Sequence, residues 1–250
     1  MANLSHDATT FLVLFARIGA ILMLLPVFSE ESIPGQIRLL MALGFTAGLW
    51  ALLAPAIPSE AGDSGALLAI LVAELAVGIA IGAIVRLMFQ AASMAGAIIS
   101  TQIGLASVLV FDAGQGGQAP LLSKLVSLAA ALVCMGLGVH HLWIEAMVRS
   151  YALFPVGVLP PIGDFAALAV ASAVQATRLA VSLAAPLIVY GIVFNVALAL
   201  SSRMAGAIQV FFIAQPLNLL LGLGLLAGTI GTILATFAET LASQLRSGWI

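Results

Sequence analysis

Charge is scarce in this chain: eight Lys and Arg and ten Asp and Glu stand among 250 residues, with a net charge of −2. Soluble domains carry about a quarter charged residues, so water is excluded as the main solvent. The basic residues never form a run able to neutralise a row of phosphates, which sets nucleic acid aside as a partner. Cysteine is rarer still. A single Cys134 excludes an intrachain disulfide and a Cys-x-x-Cys site, and its place in the apolar stretch from Leu125 to Val139 suits a small buried hydrophobe. Of three histidines, His140 and His141 lie near Glu145, the one cluster with metal or acid–base character. The His-Glu-x-x-His spacing of a zincin is missing, so packing near a helix end is the preferred explanation. No nucleophile elbow, glycine-rich phosphate loop or Ser/Lys dyad occurs. The expectation is a protein that is not an enzyme and holds no cofactor or metal.

What remains is apolar: 63% of the residues are hydrophobic. A hydrocarbon core about 30 Å thick takes about 20 apolar residues per helical crossing, so this length predicts an all-α polytopic membrane protein with six or seven hydrophobic helices. The start lacks a basic n-region, and Phe11 to Phe28 reads as a retained helix rather than a cleaved signal peptide. Arg17 within it costs about 2.5 to 3.5 kcal/mol at bilayer centre, offset by aliphatic neighbours that return about 0.3 to 0.6 kcal/mol each. It is expected to face protein or a polar cavity. A joint ending in Pro34-Gly35 leads to a second segment, about Ile37 to Ala56, closed by Pro55 and Pro58, and the two form a helical hairpin.

After an acidic loop, Pro58 to Gly65, a third segment runs from Ala66 to about Phe89 with Glu74, Gly78 and Gly82. Four-residue spacing puts the two glycines on one face, where another backbone can approach. From Gln90 to Ser107 small and polar residues replace the large aliphatics, predicting a helix inside a protein assembly or along a polar passage. The stretch Val108 to Pro120 then reads as a flexible loop, because Gly114, Gly116 and Gly117 crowd four positions. Helical character resumes from Leu121 to about Val148 and breaks at Phe154-Pro155 and Pro160-Pro161. Phe165 to Leu200 is two helices or one kinked at Pro186. The last segment, about Leu217 to Phe237, carries a second glycine pair, Gly224 and Gly228. Arg38 and Arg86 lie opposite the arginine-free loop, so the positive-inside rule places that loop and the N-terminus outside the cytoplasm.

Two features invite function. Glu74 could relay protons or hold an ion, or serve structurally by pairing with Arg17 or Arg86 or by sitting between subunits, and the structural role is preferred. The lead Val108, Leu109, Val110 and Phe111 joins an apolar tip to a glycine-rich base, which suits either a plug or an ordinary interhelical connection.

In order along the chain stand Phe15-Ala16-Arg17-Ile18-Gly19-Ala20, Leu25-Pro26-Val27-Phe28, Ile33-Pro34-Gly35-Gln36-Ile37-Arg38, Glu74-Leu75-Ala76-Val77-Gly78, Gln102-Ile103-Gly104-Leu105-Ala106, Phe111-Asp112 and Gly138-Val139-His140-His141-Leu142. A weaker block holds Ala185-Pro186, Arg203, Phe211, Pro216-Leu217 and Gly222. This pattern resembles the FliR family of the type III secretion export apparatus across nearly the whole chain. Ala113 stands where the family commonly has proline, and Asn218 where it tends to have lysine. The resemblance implies a single-copy subunit of a hetero-oligomeric export gate in the bacterial inner membrane, at the flagellar basal body, with the gate of a virulence injectisome as the alternative and a small-molecule secondary transporter as the rival from another class. Its implied partners are FliP, FliQ and an FlhB-like subunit, with unfolded flagellar proteins as cargo. It implies one membrane domain over 1–250, with a FliQ-like hairpin at 11–57 and a FliP-like part at 66–250. The loop at 108–120 would plug the pore, and Arg17, Glu74, Gly78, Gly82, Gly224 and Gly228 would serve helix packing and assembly. The resemblance also implies that helices reading as transmembrane can sit above the membrane plane.

Overall fold

The computed structural model describes residues 2–28, 33–57, 64–112, 117–159, 161–204 and 210–246. Among the described residues seven α-helices follow in order: α1 (Ala2–Leu24), α2 (Gly35–Leu53), α3 (Ser64–Gln102), α4 (Leu121–Gly136), α5 (Val139–Leu153), α6 (Ile162–Met204) and α7 (Val210–Arg246). A two-stranded antiparallel ribbon, β1 (Leu109–Asp112) and β2 (Gly117–Pro120), lies between α3 and α4. Five helices are long and apolar enough to cross a membrane, and a sixth span results if the bent pair α4–α5 counts as one. The protein is therefore an all-α polytopic membrane protein with one small β-ribbon.

Helix boundaries follow backbone chemistry. Pro34 and Pro120 precede α2 and α4 with φ of −54° and −56°, where a missing N–H costs nothing because the first turn has no acceptor for it. Pro55 falls in the 3-10 turn Ala54–Ala56 that ends α2. At Gly138 the chain takes φ of +74°, a left-handed conformation that glycine adopts without strain, and α5 leaves α4 at 76°. This elbow divides the stretch expected to run unbroken from Leu121 to Val148.

Elsewhere the structure joins segments that could have been separate. The apolar segment from Ala66 and the small-residue segment from Gln90 form one 39-residue helix, α3. The tract containing Pro186 forms one 43-residue helix, α6. At 1.5 Å per residue α6 is about 65 Å long, roughly twice the hydrocarbon thickness.

The chain divides into two compact units. The first gathers α1, α2, α3 as far as Met88, α5 from His140 and α6 as far as Ala173. Its core includes Leu14, Ile18, Ile21, Val77, Trp143 and Met147, all nearly inaccessible to solvent. The hairpin expected from the first two segments forms, with α1 packed on α2. Gly78 and Gly82 admit α1 to close range: a Cβ on Gly78 would lie 2.7 Å from the Arg17 carbonyl oxygen, and one on Gly82 2.7 Å from Leu24 Cβ.

The second unit gathers α3 from Phe89, the ribbon, α4, α6 from Val174 and α7 as far as Ser243. The Phe89 and Phe237 rings meet edge to face at 5.4 Å. The small residues of α3 are buried within their own chain: Ala91, Ala92, Ala95 and Ser100 are almost inaccessible. A Cβ on Gly96 would fall 2.6 Å from the Leu122 carbonyl oxygen, and the Ser123 hydroxyl donates to the Ser93 carbonyl at 2.7 Å.

Candidate functional site

Two polar constellations stand out against the apolar helices, one in each unit. The first centres on Arg17 of α1 and Glu74 of α3, whose side chains are both 0% exposed. The guanidinium Nε–H donates to Glu74 Oε2 at 2.6 Å and an Nη2–H to Oε1 at 2.9 Å, a bidentate fork that holds both charges in fixed orientation. The other donations run to the Ser150 carbonyl at 3.0 Å and the Phe154 carbonyl at 2.9 Å. Those carbonyls close α5, where the negative end of the helix dipole favours a cation. The Tyr151 ring lies beneath the guanidinium carbon at 4.2 Å, and its hydroxyl donates to the Leu14 carbonyl at 3.3 Å. Glu74 Oε1 also accepts the Gly157 N–H at 3.1 Å, from a turn where Gly157 holds φ of +80°.

Each ionic group is thus surrounded by partners from its own chain. The arrangement ties α1, α3, the end of α5 and the following turn together, and it offers no open face to a substrate or ion. Of the partners considered for Glu74, the structure brings Arg17 to it. The rest of the cage leaves no local signature, since Tyr151, Gly157 and the two carbonyls lie more than 70 residues from Glu74.

The second constellation is the ribbon and its seat. The pairs Leu109 with Pro120, Val110 with Ala119, Phe111 with Gln118 and Asp112 with Gly117 set its register. Paired strands therefore replace the flexible loop expected at these positions, because Leu109-Val110-Phe111 suits an extended backbone and only the tip is glycine-rich. Gly114 and Gly116 lie outside the described residues. Asp112 is buried and meets Lys124 of α4 at 3.2 Å. Val108, Leu109 and Phe111 are exposed, Phe111 to 75%, so the apolar side of the ribbon is largely uncovered among the described residues.

The remaining expected positions separate. Gly78 and Gly82 lie against α1, whereas Gly224 and Gly228 are exposed and nothing comes within 4 Å of a Cβ built on either. On α7 the glycine that meets another element is Gly222, against Ile103 just past the end of α3. The His140 and His141 rings meet at 4.1 Å, tilted by 36°, and Glu145 pairs with Arg149 at 3.0 Å. Sequence reasoning passed over Arg178, an exposed cation and the one charge between Phe165 and Leu200 of α6. Its isolation in an apolar tract was a signal available from the start.

The fold and the ionic lock define a polytopic helical membrane protein whose buried charges join helices rather than present reagents. A family model described as "Bacterial export proteins, family 1" matches residues 8–243. The flagellar biosynthetic protein FliR of Caulobacter vibrioides is 37% identical over 232 residues, 91% of this chain and 90% of that one. FliR of Escherichia coli is 30% identical over 92% of this chain and 87% of its own, and the Yop proteins translocation protein T of Yersinia pestis is 26% identical over 84% and 81%. The chain belongs to the FliR family of bacterial export proteins.

Proposed function

We propose that the protein is a non-enzymatic subunit of the flagellar type III secretion export gate in the bacterial inner membrane, assembled with FliP, FliQ and an FlhB-like subunit around a path for unfolded flagellar proteins. The similarity to FliR of Caulobacter vibrioides along nine-tenths of both chains carries this reading, against 26% to the Yop translocation protein T. In it, α1 and α2 form the FliQ-like hairpin of residues 11–57, residues 66–250 form the FliP-like part, and the ribbon at 108–120 obstructs the path at rest. A passage wide enough for an unfolded chain leaks ions unless something apolar fills it. The uncovered Phe111, Leu109 and Val108 supply such a surface.

The open faces of α6 and α7 support assembly with other membrane chains. Arg178 on α6 asks for a carboxylate or an aqueous surface, and Gly224 and Gly228 leave room for a neighbouring backbone. Gly224→Leu and Gly228→Leu are therefore expected to leave the amount of protein in the membrane unchanged while reducing co-purification of the partner subunits. Gly78→Leu, which drives a side chain into α1, is expected to lower both. Retention of all partners by the Gly224 and Gly228 variants removes that face from the assembly.

The function itself is tested by deleting the gene and restoring it from a plasmid, then identifying the proteins released to the medium. Loss of hook and filament proteins together with motility, regained on complementation, supports the flagellar gate. Loss of virulence effectors alone moves the protein to an injectisome. Normal release of both classes sinks the export reading and leaves a small-molecule transporter as the reading to pursue.

A further inference from the structure

The base of the ribbon is set by how α3 ends. The Leu105 N–H donates to the Ser100 carbonyl at 2.9 Å while Gly104 takes φ of +83°, a Schellman-type cap that turns the chain out of the helix. Four residues later β1 begins, and the Val108 N–H to the Leu105 carbonyl, 3.1 Å, closes the intervening turn. The direction of the ribbon is therefore inherited from the cap.

Residues of α6 and α7 hold that cap. The Gln102 carbonyl, left without an intrahelical donor at the helix end, accepts from Asn218 Nδ2 at 3.3 Å. Asn218 is only 6% exposed, and the Tyr190 hydroxyl lies 2.8 Å from its Oδ1 and 3.0 Å from its carbonyl oxygen. A Cβ on Gly104 would stand 3.1 Å from Gln215 Oε1 and 3.6 Å from Asn218 Nδ2. Gly191, beside Tyr190, gives room to the Gln102 side chain, and Gly222, one turn beyond Asn218, gives room to Ile103. A buried amide with both ends engaged and two glycines clearing space make a shaped socket for one helix end.

We propose that Asn218 is a positioning residue: oriented by Tyr190, it latches the end of α3 and thereby fixes the posture of the ribbon, which swings when the latch opens. The ribbon has a second tether, Asp112 to Lys124, on the side of α4. With Asn218 disengaged the Asp112 tether on α4 would remain, without the latch at the end of α3. The consequence for ion leakage rests on the gate reading, whereas the mechanical link does not.

The test uses the full chain in its purified complex, with Cys134→Ala removing the native thiol and a spin label on Phe111→Cys. Asn218→Leu removes both hydrogen bonds, and Tyr190→Phe removes one hydroxyl from an otherwise intact site. In each, the mobile fraction of the label is expected to rise about tenfold, the population change that loss of one buried hydrogen bond brings. Thr229→Ala, whose hydroxyl bonds only the Leu225 and Leu226 carbonyls of its own helix, is the control and leaves the label fixed. If Asn218→Leu fails to assemble, Tyr190→Phe carries the test. A label that stays fixed in Tyr190→Phe and in any assembled Asn218→Leu overturns the latch. Ion conductance of Asn218→Leu and Tyr190→Phe with Phe111 intact reports separately: a released ribbon with unchanged conductance upholds the latch and counts against the plug.

Discussion

Glu74→Ala is expected to destabilise the protein by about 3 to 5 kcal/mol, because it leaves the Arg17 guanidinium charged, fully buried and stripped of its fork. The Ser150 and Phe154 carbonyls and the Tyr151 ring remain, but dipoles and a ring face replace only part of a lost counter-ion. Arg17→Ala is expected to cost a similar amount, with Glu74 keeping only the Gly157 N–H. Arg17→Lys recovers little, since an ammonium cannot span the carboxylate and two carbonyls at once. The informative variant is the double change to apolar residues, Arg17→Met with Glu74→Leu. A buried ion pair adds little net stability over a well-packed apolar pair, so the double variant is expected to regain much of the unfolding midpoint lost by either single change. Thermal unfolding of the purified complex measures this, and a double variant as unstable as the singles would show the pair to be worth more than its desolvation cost. Restored stability without restored export would assign the ions a role in the machine itself.

The lock also shows what the sequence could and could not disclose. Arg17 and Glu74 were conspicuous because an ionic group in an apolar helix must have a partner, and this necessity holds without coordinates. Their cage was hidden because carbonyl oxygens carry no residue signature: every helix end has them, and only the tertiary fold brings those of Ser150 and Phe154 to Arg17. The glycine pairs make the same point. Gly78 with Gly82 and Gly224 with Gly228 share one spacing, yet the first pair receives α1 and the second faces outward. Spacing marks a face on which a helix can approach; whether the helix belongs to the same chain is a tertiary fact. Helix count was legible from apolar length, but helix breaks were not. Pro186 did not end α6, while the elbow after α4 came from Gly138, one glycine among 24. The ribbon was misread for a related reason: three glycines near its tip concealed the extended tendency of Leu109, Val110 and Phe111 beside them.

Excising residues 109–120 is expected to leave the helices in place and, under the proposed gate, to raise ion leakage through the assembled complex well above that of the unaltered protein. The excision is structurally mild. The Leu121 N–H already donates to the Val108 carbonyl at 2.9 Å, so the cut ends are neighbours and a short Gly-Ser joint spans them. It removes the Asp112 carboxylate from Lys124, whose ammonium is 24% exposed and therefore keeps access to water once the partner is gone. What is lost is the apolar surface. Phe111 is 75% exposed in the chain alone, and covering a phenylalanine fully is worth about 1.5 to 3 kcal/mol, so an apolar contact in the closed assembly has a clear driving force. Phe111→Asp keeps the ribbon but makes that contact costly, and its leakage is expected to fall between the other two. Conductance of the complex in planar bilayers, with secretion measured in parallel, separates the outcomes. Leakage in both variants with the complex intact places the apolar ribbon in the ion path. Normal conductance and normal export in both would reduce the ribbon to an ordinary connection between α3 and α4, and the obstruction would then have to come from another subunit.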